Sequence, residues 1–134
     1  HGNTKKAAEK LKEMLEEAGA EKVAMADLCT EDIHEAVEDA FRYDRMVLAA
    51  SSYDGGVFPP MAEFLHLLKI KNFQKRTVAI IENGSWGPTA ARVMKSELEG
   101  MKAIEIVEPV ITIRSAMKPE NETQMKELIA ALVK

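Results

Sequence analysis

The chain has 134 residues, 46% hydrophobic and 30% charged, enough for one domain that buries about two-thirds of the surface its unfolded form exposes. Eighteen Lys and Arg against 22 Asp and Glu leave a net charge of -4 with both signs scattered, which excludes a basic stripe for nucleic acid. A single cysteine, Cys29, excludes a disulfide scaffold and suits a reducing cytoplasm. It reads as an inert thiol. Apolar runs of about five residues, such as Met46 to Ala50, fall far short of the roughly 18 needed to cross a bilayer, so no membrane partner is expected.

Elements follow one another in a regular alternation. Residues 5–18 carry Ala7, Leu11, Met14, Leu15 and Ala18 on one helical stripe, with Gly19 placed to close the helix. His1 to Thr4 ahead of it reads as a loop. The apolar run from Val23 to Leu28 predicts a strand, and Thr30 stands where a cap would open a helix bearing Ile33, Ala36, Val37, Ala40 and Phe41. Met46 to Ser51 is a second strand run. A loop, Ser52 to Gly56, leads to Pro59-Pro60 and a helix with Met61, Phe64, Leu65 and Leu68 inward.

Thr77 to Ile81 is the third run, and after Glu82 to Gly87 a helix opens at Pro88, carries Ala91, Met94 and Leu98 inward and ends at Gly100. The last strand, Ile104 to Ile113, contains Pro109, which cannot donate to a ladder. It should lie at a sheet edge or be split. Pro119 then leads into Met125, Leu128, Ile129 and Leu132 at helical spacing.

Strands apolar on both faces and separated by amphipathic helices predict a parallel sheet covered on both sides, an α/β fold in one domain spanning 1–134. Strand starts at Val23, Met46, Val78 and Ile104 lie 23, 32 and 26 residues apart, and five helices accompany four strands. The expectation is a five-unit fold whose first strand precedes His1, leaving an unpaired strand edge.

Ligands of open α/β sheets bind beyond the carboxyl ends of the strands. Three loops there are rich in Gly, Ser, Asn and aromatic residues: His1 to Thr4, Ser51 to Gly56, and Asn83 to Gly87. The first enters a helix N-terminus, where free N–H groups and the helix dipole favour an anion, with Asn3 and Thr4 as side-chain donors. It lacks both the Gly-x-x-x-x-Gly-Lys-Ser/Thr and Gly-x-Gly-x-x-Gly patterns, and a plain helix cap is the other reading. Tyr53 beside Gly55-Gly56, and Trp86 between Gly84 and Gly87, combine a stacking face with a closely approachable backbone, which suits a planar heteroaromatic ligand. They could instead cover the core, with the glycines making turns.

Three stretches carry a family resemblance. His1-Gly2-Asn3-Thr4-Lys5, Ser51-Ser52-Tyr53-Asp54-Gly55-Gly56-Val57-Phe58-Pro59-Pro60-Met61 and Glu82-Asn83-Gly84-Ser85-Trp86-Gly87-Pro88 resemble the three FMN loops of flavodoxin-like domains, in particular those of A-type flavoproteins, the flavo-diiron proteins. Tyr53 to Pro60 is the most specific part, and the likeness extends over essentially the whole chain. It implies a flavodoxin-like three-layer α/β/α sandwich of order 2-1-3-4-5, with FMN at the switch point. It further implies that His1, Gly2, Asn3 and Thr4 border the phosphate, and that Ser51, Ser52, Tyr53, Asp54, Gly55 and Gly56, with Asn83, Gly84, Ser85, Trp86 and Gly87, enclose the isoalloxazine. Tyr53 and Trp86 are the stacking candidates that it implies, and backbone groups of Gly55-Gly56 are the implied candidates to answer the protonation state of flavin N5.

The implied role is an electron-transfer domain of a larger oxygen or nitric oxide reductase, fed by a rubredoxin-like donor or a flavin reductase. Its implied partner is a diiron metallo-β-lactamase-like domain in a head-to-tail homodimer. Family members carry Ser or Thr a few positions before the Gly-Asn-Thr, which here would precede His1. The His-x-Glu-x-Asp-His signature of the diiron half does not occur in this chain, so it is not expected to be catalytically complete alone. A flavodoxin-like scaffold or receiver module without flavin is the alternative; for a receiver, Asp27 and Asp54 lack a clear third acidic partner. His1, His34 and His66 fall on separate elements, and no metal site is expected.

Overall fold

The computed structural model describes residues 2–20, 23–28, 30–53, 56–84, 89–114 and 116–133. In chain order these form α1 (Gly2–Glu17), α2 (Ile33–Arg42), β1 (Arg45–Tyr53), β2 (Gly56–Val57), α3 (Pro59–Ile70), β3 (Arg76–Asn83), α4 (Ala90–Glu99), β4 (Ile104–Ile106), β5 (Ile111–Ile113) and α5 (Pro119–Leu132). β3 is the hub of the sheet. It pairs in parallel with β1 from Arg45↔Thr77 to Ser51↔Asn83, and on its other side with β4 at its start and β5 at its end. The break between β4 and β5 falls at Pro109, so the split edge strand expected from that residue is present.

Alternation along the strands divides the core in two. Leu48, Ala50, Val78 and Ile80 pack with Ala36, Val37 and Ala40 of α2, Phe64, Leu65 and Leu68 of α3, and Met94 and Leu98 of α4. Ala79, Ile81, Ile111 and Ile113 pack on the opposite face with Ala7 and Leu11 of α1 and with Met125, Leu128 and Leu132 of α5. The result is the three-layer α/β/α arrangement, and the inward stripes of α3 and α5 are those the 3-4 spacing predicts. Because β3 is covered on both faces, every residue from Val78 to Asn83 is buried.

Local chemistry sets the ends. α1 closes with Gly19 at φ +101, Gly19 N–H donating to the Glu16 carbonyl and Ala20 N–H to that of Leu15, the paired bonds of a Schellman turn. Two caps differ from expectation. Gly2, Asn3 and Thr4 are not a loop but the first turn of α1. The cap of α2 is Asp32 rather than Thr30: its side chain accepts from His34 N–H at 2.9 Å, while Thr30 N–H donates to the Asp27 carbonyl in a preceding turn.

A third difference concerns Val23 to Leu28, which forms no strand. A strand is defined by its ladder, and among the described residues nothing pairs with this segment. The sheet order 2-1-3-4-5 is accordingly seen for its third, fourth and fifth places, held by β1, β3 and the β4/β5 pair. Cys29 lies outside the described residues.

At the amino end of β3, Arg76 ties the sheet to the chain entering β1. Its guanidinium donates to the carbonyls of Tyr43 at 2.9 Å, Phe41 at 3.0 Å and Gln74 at 2.7 Å, and its Cζ sits 5.2 Å from the centre of the Phe73 ring. Phe73 in turn meets Phe41 edge-to-face at 5.3 Å. Replacing Arg76 with Met keeps its apolar stem but orphans these acceptors. Urea unfolding of Arg76→Met should show a loss of about 1–3 kcal/mol, whereas Ile81→Ala, a core truncation, should lose about 2–5 kcal/mol.

Candidate functional site

The carboxyl ends of β1 and β3 are level because their register pairs Ser51 with Asn83, and β5 brings Ile113 beside Asn83 on the other side. α1 starts at this same end. Thr4 Oγ1 lies 2.9 Å from Ser51 Oγ, so a helix-start hydroxyl and a strand-end hydroxyl share one corner. Gly84 extends the row, its N–H donating to the Ile113 carbonyl at 3.0 Å. Thr4, Ser51, Asn83 and Gly84, one or two residues from each of the three loops singled out in the sequence, therefore meet along one rim.

The second loop is more ordered than its composition suggests. β1 continues through Ser52 and Tyr53 and folds back antiparallel on Gly56 and Val57, with Ser52↔Val57 and Tyr53↔Gly56. Phe58 N–H then donates to the Ser51 carbonyl at 3.1 Å, closing the hairpin against the strand that it left. α3 begins at once, Pro59 and Pro60 occupying first-turn positions where a missing N–H costs nothing. Gly2 and Asn3 supply backbone of the first turn of α1. His1, Asp54, Gly55, Ser85, Trp86 and Gly87 lie outside the described residues.

One neighbour of this rim was assigned no role from the sequence. Glu82, only 6% exposed, ends the apolar run of β3 and turns its carboxylate onto two donors. Oε1 accepts from Ala91 N–H at 3.0 Å, in the first turn of α4, and Oε2 accepts from the Thr112 hydroxyl at 2.7 Å. A buried carboxylate demands such donors, and the positive end of the helix dipole favours the charge. Thr112 is held from behind by Asn121, 4% exposed, whose Nδ2 donates to the Thr112 carbonyl at 3.1 Å while its Oδ1 accepts from Lys118 N–H at 2.9 Å. Glu82 thus ties the end of β3 to its neighbour β5 and to the first turn of α4. The available signal was a lone carboxylate at the end of an otherwise apolar β run.

Other polar residues serve elsewhere. Asp27 pairs with Lys5 at 3.8 Å, both partly exposed, and His34 and His66 are exposed on α2 and α3. Among the described residues no three His, Cys, Asp or Glu side chains come together, and no helix is long and apolar enough to cross a membrane.

No family model matches the chain, and no curated protein matches it by sequence. Solved structures do. A flavodoxin from the domain Archaea superposes with a TM-score of 0.82 at 18% identity, over 98% of this chain and 88% of that one. The chain has the flavodoxin-like fold. Rubredoxin:oxygen oxidoreductase from the anaerobe Desulfovibrio gigas superposes at 0.88 with 16% identity, over 96% of this chain and 31% of its own. A flavo-diiron protein from Thermotoga maritima gives 0.80 at 19%, over 99% and 33%. The chain spans nearly the length of the flavodoxin and about a third of the two larger proteins.

The Glu82 network makes a local forecast. In Glu82→Ala the Ala91 amide and the Thr112 hydroxyl lose their acceptor, so Ala91 should exchange its amide hydrogen faster and stability should drop by about 1–3 kcal/mol. Glu82→Gln, which keeps an acceptor oxygen, should lose less than Glu82→Ala in the same exchange and denaturation measurements.

Proposed function

We propose that this chain is an FMN-binding electron-transfer domain, one part of a longer flavo-diiron protein. The observation that supports this most directly is the convergence of Thr4, Ser51, Asn83 and Gly84 at the carboxyl ends of parallel strands, around a helix start. The residues fit the group. The first-turn N–H groups of α1, with Gly2, Asn3 and the Thr4 hydroxyl, offer donors and the positive end of a 16-residue helix to a phosphate, with His1 beside them. The hairpin that β1 makes with β2, with the residues from Ser51 to Gly56, and the residues from Asn83 to Gly87 would then border the flavin ring, with Tyr53 and Trp86 as the proposed stacking faces.

Bound FMN would supply one- and two-electron acceptance, and the protein's share is position and electrostatics. Backbone groups of Asp54, Gly55 and Gly56 are proposed to answer protonation at flavin N5, and Ser52 and Ser85 to complete the polar border. Electrons would arrive from a rubredoxin-like protein or a flavin reductase and leave for a diiron centre on a metallo-β-lactamase-like domain. The fold shared with a rubredoxin:oxygen oxidoreductase and a flavo-diiron protein, over about a third of the length of each, supports that placing. In the parent, a cytoplasmic head-to-tail homodimer would set the ring of one subunit against the metal domain of the other.

Trp86 is the single tryptophan, so its fluorescence reports the site. Titration with FMN should quench Trp86 and flavin emission together, and the protein should be yellow. Thr4→Val with Ser51→Ala should weaken binding about tenfold, a loss of about 1.4 kcal/mol. Trp86→Phe, which keeps a ring, should bind more tightly than Trp86→Ala when followed by flavin emission. If a large excess of FMN leaves both emissions unchanged, the reading is wrong.

A further inference from the structure

Asn83-Gly84 is the only Asn-Gly pair in the chain, and such a pair carries chemistry of its own. The glycine nitrogen attacks the asparagine side-chain carbonyl carbon: a new C–N bond closes a five-membered ring, the Cγ–Nδ2 bond breaks and ammonia leaves. Water then opens the succinimide to aspartate or isoaspartate. No oxidant or other reagent enters, and glycine favours the attack because no Cβ hinders its nitrogen.

The fold holds this step back. Asn83 ends β3 at 9% exposure, paired with Ser51 of β1 on one side and with Ile113 of β5 on the other. Extended backbone turns the following nitrogen away from the residue's own side chain, whereas ring closure needs the two together. The attacking nitrogen is also engaged, since Gly84 N–H donates to the Ile113 carbonyl at 3.0 Å. That bond depends on β5, which has three residues and, among the described residues, pairs only with β3. What fixes β5 here is the Thr112 hydroxyl on Glu82 at 2.7 Å and Asn121 Nδ2 on the Thr112 carbonyl at 3.1 Å.

We propose that Asn83 is a deamidation site latched by β5, converting at a rate set by local release of that strand end. Conversion would put a carboxylate on the rim next to buried Glu82, and in the isoaspartyl form it would also lengthen the backbone by one carbon where β1, β3 and β5 end level. An anionic ligand at this rim would then meet like charge and a displaced strand end. This consequence for FMN, unlike the latch, rests on the function proposed above.

Incubation of the chain in mildly alkaline buffer without flavin, followed by peptide mass mapping, reads the latch directly. Conversion at Asn83 should run at least about tenfold slower in the folded chain than in the free peptide of residues 80–86. Thr112→Val removes the hydroxyl that holds β5 to Glu82 and should speed it about fivefold. Glu82→Gln, which keeps an acceptor oxygen, should speed it less, and decides alone if Thr112→Val does not fold by circular dichroism. The latch is overturned if the folded chain converts as fast as the peptide, if folded variants convert no faster than the unsubstituted chain, or if conversion falls on Asn3, Asn72 or Asn121 instead. Converted and unconverted chains, separated by anion exchange, should differ about tenfold or more in FMN affinity. Equal affinity overturns the effect on the rim, whereas binding by neither overturns the flavin reading and leaves the mass data to decide the latch.

Discussion

The parallel ladder between β1 and β3 is the constraint from which the rest of the architecture follows. Parallel strands cannot be joined by a tight turn, so the chain from Tyr53 to Arg76 must return along one face of the sheet, and it does so as α3. Both strands then need cover on both faces, which accounts for two cores instead of one. The seven-pair register also brings Ser51 level with Asn83. A slip of one residue would send Ile80 and Ile81 to the wrong faces and stagger the loop ends, so burial and site geometry are specified by the same register.

Glu82 is the point at which stability of the core passes into rigidity of the site. An apolar side chain in its place would avoid the desolvation of a carboxylate, yet it would leave the α4 N-terminus and the Thr112 hydroxyl without this acceptor. With the carboxylate present, three elements are joined within two residues of Asn83 and Gly84. Asn121 continues the chain of contacts to α5, so β3, β5, the start of α4 and α5 are joined through buried polar groups.

Legibility in the sequence followed the range of the interaction. Continuous apolar runs marked β1 and β3, prolines marked the starts of α3 and α5, and Gly19 marked the end of α1, because each depends on residues only a few positions apart. Asp32 and Thr30 are both cap-forming types, and the choice turned on where Ile33 enters the core. Glu82 looked like part of a loop because its partners are 9 and 30 residues away. The two-residue β2 was hidden by its glycine, which equally suits close approach to a ligand. Val23 to Leu28 has strand composition without a ladder: propensity describes a segment, whereas a strand needs a neighbour.

The corner formed by Thr4 and Ser51 differs in kind from the rim formed by Ser51, Asn83 and Gly84. The rim is bonded through consecutive strands and is as rigid as the sheet. The corner joins the sheet to a helix lying across the cavity from Val23 to Leu28, held by the packing of Ala7 and Leu11 and by the Thr4–Ser51 contact. A phosphate bound at the start of α1 draws on backbone N–H groups whose direction is the direction of the helix. Any freedom of α1 relative to β1 must be surrendered on binding, and that loss subtracts from affinity.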